Sequence, residues 1–244
     1  MSRLQNKLDN KTETKKIQGV YLMSGYPDKE TFLELMNLCS QNGADFLEIG
    51  MPFSDPSADS TIVQQAGCKA LQNRITVKQT IEYIKSFRKN DEKTPIVWVG
   101  YFNSLYKYGI ESFLKDFGTA GGDGILIYDL PLEEYHRIKD IQDMNIDLIS
   151  VIASVTSHER CRTIVKNASG FLYYLLNRPS VDDDMRKIED VKQITNLPVL
   201  ASNAVFANNK DGVVVDSEII EIISKNIDDK TKIFNEIKKF IEHL

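Results

Sequence analysis

The sequence predicts an α/β fold, a single closed (β/α)8 or TIM barrel, and three observations carry that expectation. Eight short, β-branched apolar runs alternate with segments of helical period along the 244 residues. Polar and phenolic residues (Glu48, Tyr101, Asn103, Asp129, Thr156, Tyr173 and Asn177) gather at or just beyond the C-terminal ends of those runs. That is the face on which barrel enzymes assemble their sites. No Pro/Ser-rich linker or break in composition divides the chain, so residues 1–244 read as one domain. At 42% hydrophobic content it can bury one large core.

Taken in order, the elements are as follows. Residues 1–16 form a polar lead-in. The strands are expected at Ile17–Ser24, Ala44–Gly50, Ile96–Tyr101, Gly124–Tyr128, Ile146–Ile152, Gly170–Leu175, Pro198–Ala201 and Gly212–Val215. Helices are expected at Lys29–Gln41, Thr61–Gln72, Val77–Lys89, Ile110–Gly118, Glu133–Met144, His158–Asn167, Met185–Thr195 and Ser217–Lys225. A closing helix over residues 232–244 sets Ile233, Ile237, Phe240 and Leu244 on one face. Only Ser202–Lys210 separates the last two strands, and FANNKDG has no helical period. A parallel crossover commonly takes a dozen or more residues and a helix. Nine extended residues span roughly 30 Å, so this return is expected as bare loop, giving a barrel without its seventh outer helix.

The net charge of −5, with both signs mixed along the chain, provides no basic face for nucleic acid. Cys39, Cys68 and Cys161 are odd in number and in no metal-like spacing, which fits reduced thiols in a cytoplasmic protein. The start, MSRLQNKLDNKTETKK, lacks the apolar stretch of a secretory signal, and no apolar run approaches the roughly 20 residues that span a bilayer. His136, His158 and His243 fall in helices or at the terminus and suggest neither a histidine triad nor a zinc site. No metal is expected.

Phe46–Asp59, FLEIGMPFSDPSAD, is the most informative stretch. A carboxylate inside an apolar strand, as at Glu48, costs several kcal/mol unless it is paired, hydrogen-bonded or protonated. Asp59 follows eleven residues later in a polar loop, before the helix pattern of Ile62, Val63, Ala66 and Leu71. Two acids in different environments at one strand end can titrate apart, as an acid/base pair must. Blander roles stand beside this one. Glu48 can be a structural acid tied to a neighbouring strand, and Asp59 a charge at a helix N-terminus. Asp55 and Pro56 suit a plain turn, and Asp129 a helix cap. Tyr21, Tyr173 and the single tryptophan, Trp98, suit core packing.

FLEIGMPFSDPSAD resembles the signature of the tryptophan synthase alpha subunit family. VGYFNSLYKYG (99–109), GILIYDLPLEE (124–134) and GFLYYLLNR (170–178) resemble the same family in the same order. The likeness runs from about Gly19 to Leu200. It implies a lyase of tryptophan biosynthesis that cleaves indole-3-glycerol phosphate to indole and glyceraldehyde 3-phosphate by a retro-aldol step. Glu48 and Asp59 then match the catalytic pair: Asp59 holds the indole N–H, while Glu48 moves protons at the indole C3 and the glycerol hydroxyl. Tyr21, Tyr101, Asp129, Tyr173, Arg178 and Ser217 match substrate-binding positions, and Asp55 and Pro56 lie in a loop that touches a beta chain. The resemblance further implies an α2β2 heterotetramer, no cofactor in this chain, and pyridoxal phosphate in the beta partner.

The resemblance weakens after Leu200. Family members hold the substrate phosphate in glycine-rich turns after strands six, seven and eight, where backbone N–H groups approach the anion. Here the matching segments read NRPSVDDD (177–184), SNAV (202–205) and DSE (216–218), without glycine. Asp216 is expected to set a negative charge at the helix end that would receive the phosphate, with Arg178 and Ser217 offsetting part of it. Three functions therefore stay open: a working alpha chain; a catalytically impaired relative that activates the beta chain allosterically; and a barrel that has moved to a non-phosphorylated, indole-like substrate.

Overall fold

Eight parallel strands close on themselves in chain order in the computed structural model, which describes residues 2–9, 16–175, 181–202 and 209–244. They are β1 (Ile17–Met23), β2 (Phe46–Gly50), β3 (Ile96–Gly100), β4 (Gly124–Ile127), β5 (Asp147–Ala153), β6 (Leu172–Leu175), β7 (Val199–Ser202) and β8 (Gly212–Val215). The expected eight-strand barrel is therefore observed, each strand within two residues of its expected bounds at either end.

Outside the strands lie α2 (Lys29–Gln41), α3 (Thr61–Gln72), α4 (Val77–Arg88), α5 (Phe102–Tyr108) and α6 (Ile110–Thr119). The chain continues through α7 (His158–Val165), α8 (Val181–Lys192), α9 (Ser217–Lys225) and α10 (Lys230–Glu242). Helix starts follow local chemistry. Asp28 accepts the Glu30 and Thr31 amides at the head of α2, and Thr76 and Gln79 form a reciprocal capping box on α4.

Alternation along the strands sorts side chains into two layers. Trp98 packs edge-on against Phe113 of α6, so it faces outward, and its neighbours Val97 and Val99 face the barrel axis. Inside, Phe46 fills the space over Gly19, where a Cβ would lie 2.4 Å from its ring. Phe46 also meets Phe171 at 5.1 Å between ring centroids. Gly212, at φ +137°, is forced by close approach, since a Cβ there would sit 2.0 Å from the Ile17 carbonyl oxygen.

Several elements differ from expectation. The lead-in contains a helix, α1 (Arg3–Asp9), whose Leu4 and Leu8 are buried. Leu4 reaches the foot of the barrel beside Gly124 and Gly170. Arg3 pairs with Asp123 at 2.7 Å and Ser2 donates to Asp147. The apolar signal of α1 is only two leucines four apart in a polar context, too weak to separate from loop. Leu132–Met144 is 3₁₀ with a break at Ile138 rather than an α-helix. The closing helix α10 starts at Lys230 and buries Ile233, Ile237 and Ile241, while Phe240 and Leu244 are only partly covered. The acid run 182–184 lies in the first turn of α8, where the helix dipole favours it, and Asp184 accepts the Tyr174 hydroxyl at 2.7 Å.

The expected absence of a helix between β7 and β8 falls largely on residues 203–208, outside the described residues. The described end of that connection is a tether: the buried Asn209 amide donates to the Val199 carbonyl at 2.6 Å and the Gly212 carbonyl at 2.7 Å. Among the described residues, no helix is long and apolar enough to cross a membrane.

Candidate active site

The register of three adjacent strands builds the heart of the site. Tyr21 on β1 pairs with Glu48 on β2, and Val20 pairs with Val215 on β8, so Asp216 comes one step beyond, beside Tyr21. Asp216, Tyr21 and Glu48 thus form one inward layer at the C-terminal ends of β8, β1 and β2. Tyr173 of β6 and Tyr128, just past β4, complete it: Glu48 and Asp216 act electrostatically on all three tyrosines. Gly50 makes room for this layer, because a Cβ there would lie 1.8 Å from the Tyr21 hydroxyl.

Glu48 is 0% exposed, and neither of its carboxylate oxygens has a hydrogen-bond partner among the described residues. Loss of hydration, then the nearby Asp216 carboxylate, push its pKa well above the ordinary carboxylate range. Both effects favour the protonated form, the one that can donate. Asp59 is partly buried, and burial followed by Asp216 pushes it up to about 7. The two acids expected to form a pair thus occupy different environments and both titrate high.

Asp59 arrives on the loop between β2 and α3, and Tyr101 fixes that loop. The Tyr101 hydroxyl accepts the Ala58 amide at 2.9 Å, while its ring stacks on Phe53 at 4.9 Å. Gln64 of α3 donates to the Asp59 carbonyl at 3.0 Å. Desolvation, then the Asp59 charge, raise the Tyr101 pKa to about 12, so this hydroxyl keeps its proton. Asp55 is exposed and Pro56 partly exposed on the same loop. On its outer side, Met51–Ser54 and α5 residues including Asn103 and Lys107 line an open cavity of about 480 Å³.

Asp129 lies close enough to Tyr101 to add to the rise in its pKa, and its carboxylate accepts the Phe102 amide at 2.6 Å, tying the end of β4 to the start of α5. It is a helix cap, but for α5 rather than the following segment. Asp216 caps α9 by accepting the Ser217 amide. Burial raises the Asp216 pKa, against the lowering effect of that amide. The Ser217 hydroxyl pairs with that of Ser60 at 2.9 Å, pinning the starts of α9 and α3 together. Arg178 lies outside the described residues. Of the residues expected at the site, Tyr21, Glu48, Asp59, Tyr101, Tyr173 and Ser217 therefore surround the mouth of the barrel.

Tyr128 was not among the expected residues; its signal was its place just before Asp129, at a strand end on the inward register. Gly50 was missed for want of a side chain, although it follows Glu48 by two and so faces the same way. Among the described residues, no group of three or more His, Cys, Asp or Glu is arranged to hold a metal ion.

A closed (β/α)8 barrel with acids and tyrosines converging at the C-terminal ends of its strands has the layout of a barrel enzyme with an acid/base site. Comparison with known proteins narrows the class. A family model described as "Tryptophan synthase alpha chain" matches residues 8–244, and the chain belongs to that family. It is 37% identical over 222 residues to the tryptophan synthase alpha chain of Neisseria meningitidis serogroup B, covering 84% of this chain and 85% of the relative. It is 35% identical over 240 residues to that of Petrotoga mobilis, covering 92% and 93%. The crystal structure of tryptophan synthase subunit alpha from Legionella pneumophila superposes with a TM-score of 0.94 at 29% identity, covering 99% of this chain and 96% of that one.

Proposed function

We propose that this chain is a lyase that releases indole from a 3-glyceryl indole by retro-aldol cleavage, with indole-3-glycerol phosphate as the family's substrate and a beta chain as partner. Glu48 gives a proton to indole C3 and takes the proton of the C1′ hydroxyl as the C3–C1′ bond breaks. The bond's electron pair returns to the ring, and C1′ leaves as the aldehyde carbonyl. Asp59 accepts the indole N–H, which becomes more acidic while C3 is protonated. Tyr21, Tyr128 and Tyr173 wall the ring, and Tyr101 keeps the Asp59 loop in place. No cofactor enters these steps, and pyridoxal phosphate belongs to the beta partner's own reaction. The Asp55–Pro56 edge of the loop is the proposed partner contact, within an α2β2 assembly in the cytoplasm.

One observation carries this reading. Glu48 is wholly buried with both oxygens unpartnered among the described residues, and a structural acid would be tied down. A second reading, a regulatory subunit that activates the beta chain without chemistry, is favoured by Asp216, whose carboxylate already fills the start of α9. Indole release is to be measured from indole-3-glycerol with and without its phosphate, alone and with a beta chain, against Glu48→Gln. Release that disappears in the mutant supports the lyase. No release from either compound, with beta-chain turnover still stimulated, replaces it with the regulatory subunit.

A further inference from the structure

We propose that Asp216 sets the charge of the substrate's tail, so that the site prefers a 3-substituted indole with an uncharged, hydroxyl-bearing tail to one ending in a phosphate dianion. This rests on the indole-cleaving site proposed above and names its substrate class. The inward layer fixes the path of the substrate: with an indole ring among Tyr21, Tyr128 and Tyr173, a side chain on C3 passes Glu48. It then has β8 and the start of α9 within its reach.

A helix N-terminus ordinarily receives an anion through its free amides and its dipole. Here the first of those donors is taken, because the Asp216 carboxylate accepts the Ser217 N–H from within the chain. An ionised carboxylate only accepts hydrogen bonds, and so does a phosphate dianion, whereas a hydroxyl donates. Asp216, with the Ser60 and Ser217 hydroxyls beside it, therefore matches a polyol terminus and repels a phosphate. Glu48 supplies the independent sign that a ligand belongs in this layer. It is fully buried, shares the layer with Asp216, and has no partner for either oxygen among the described residues. The cleavage balances without the phosphate: indole-3-glycerol gives indole and glyceraldehyde, with one proton moved from the C1′ hydroxyl to C3.

At about 5 Å and an effective dielectric near 20, one like-charge pair weakens binding by about three hundredfold. The test uses two probes that lack the C1′ hydroxyl and are not cleaved, 3-(indol-3-yl)propanol and its phosphate ester. Their dissociation constants are measured by calorimetry at pH 8 on the full chain, on D216G and on D216N. The wild type is expected to bind the alcohol more tightly than the ester. Both variants are expected to tighten the ester by about three hundredfold while the alcohol moves less than about threefold. D216N keeps the side-chain volume and reports even if D216G folds poorly. A wild type that binds the ester more tightly, or an ester-to-alcohol ratio unmoved in both variants, overturns the role of Asp216. Failure of both probes to bind any of the three chains overturns it together with the indole site. A ratio that shifts as expected in a chain that releases no indole upholds the selectivity and refutes only the cleavage.

Discussion

Replacing Asp59 by Asn is expected to stabilise the fold at alkaline pH and to leave it unchanged at acid pH. Asp59 has a folded pKa of about 7 against an ordinary 3.8, with burial the leading cause and Asp216 the second. Below pH 3.8 both folded and unfolded chains hold the proton, and the carboxyl costs nothing. Between 3.8 and 7 the unfolded chain gives up the proton while the folded chain keeps it, so stability falls as pH rises through this window. Above about 7 the penalty is complete and constant. A shift of roughly three units at 1.36 kcal/mol each sets an upper bound of about 4 kcal/mol. Partial exposure of the side chain screens it to about 2–3 kcal/mol. Asparagine does not titrate, so the mutant should gain that amount at pH 8 and nothing at pH 3.5. In a chain of this size the gain is about 4–12 °C in Tm. Urea midpoints and melting temperatures of both proteins from pH 3.5 to 8 test this. Parallel curves would mean that Asp59 ionises freely in the fold, and the acid/base pairing with Glu48 would lose its physical basis.

Three further outcomes follow from contacts in the structure. Tyr101→Phe removes the hydroxyl that accepts the Ala58 amide; stability should fall by about 0.5–1.5 kcal/mol, with indole release down roughly tenfold, as read by denaturation and kinetics side by side. Arg88→Met strips one of the two guanidinium partners from the buried Asp123, 2.9 Å away, and should cost about 3–5 kcal/mol in urea unfolding; a loss under 1 kcal/mol would show that Arg3 and the Ile96 amide suffice. Gly50→Ala drives a methyl into the Tyr21 hydroxyl and should destabilise by about 1–3 kcal/mol while weakening binding of an indole probe, with an unaltered probe affinity counting against Tyr21 as a wall of the site.

Strand positions were legible because each is a short apolar run bounded by turn residues, and eight of them in alternation with helical period leave few topologies. Glu48 was legible for the opposite reason, as a charge where the pattern asks for none. What stayed hidden depended on contacts between distant residues. Asp129 has the sequence context of a cap for the segment after it, yet it caps α5, twenty-seven residues earlier, because β3 and β4 end side by side. Tyr101 was read as a substrate contact, and nothing local announces that its hydroxyl meets Ala58 across forty-three residues. Ile241 was passed over in the closing helix since Phe240 and Leu244 are as apolar, and only the angle at which α10 lies on the barrel separates them.

The short helix at the start of the chain has a consequence for biosynthesis. Most of its seat, Asp123, Gly124, Asp147 and Gly170, is translated more than a hundred positions after it, while Lys7 pairs with Asp45 at 3.1 Å and Arg3 donates to the Glu92 carbonyl at 2.9 Å. Because chains emerge from the ribosome N-terminus first, α1 can reach Asp45 and Glu92 early but can seat Leu4 against the barrel only after about two thirds of the polypeptide has been made. Its docking seals the floor of the barrel, so it is a late event that reports completion of β4, β5 and β6 rather than a nucleus from which they grow. A bulky fusion placed directly before Ser2 would obstruct that final closure while leaving the catalytic face, at the opposite end of the strands, sterically untouched.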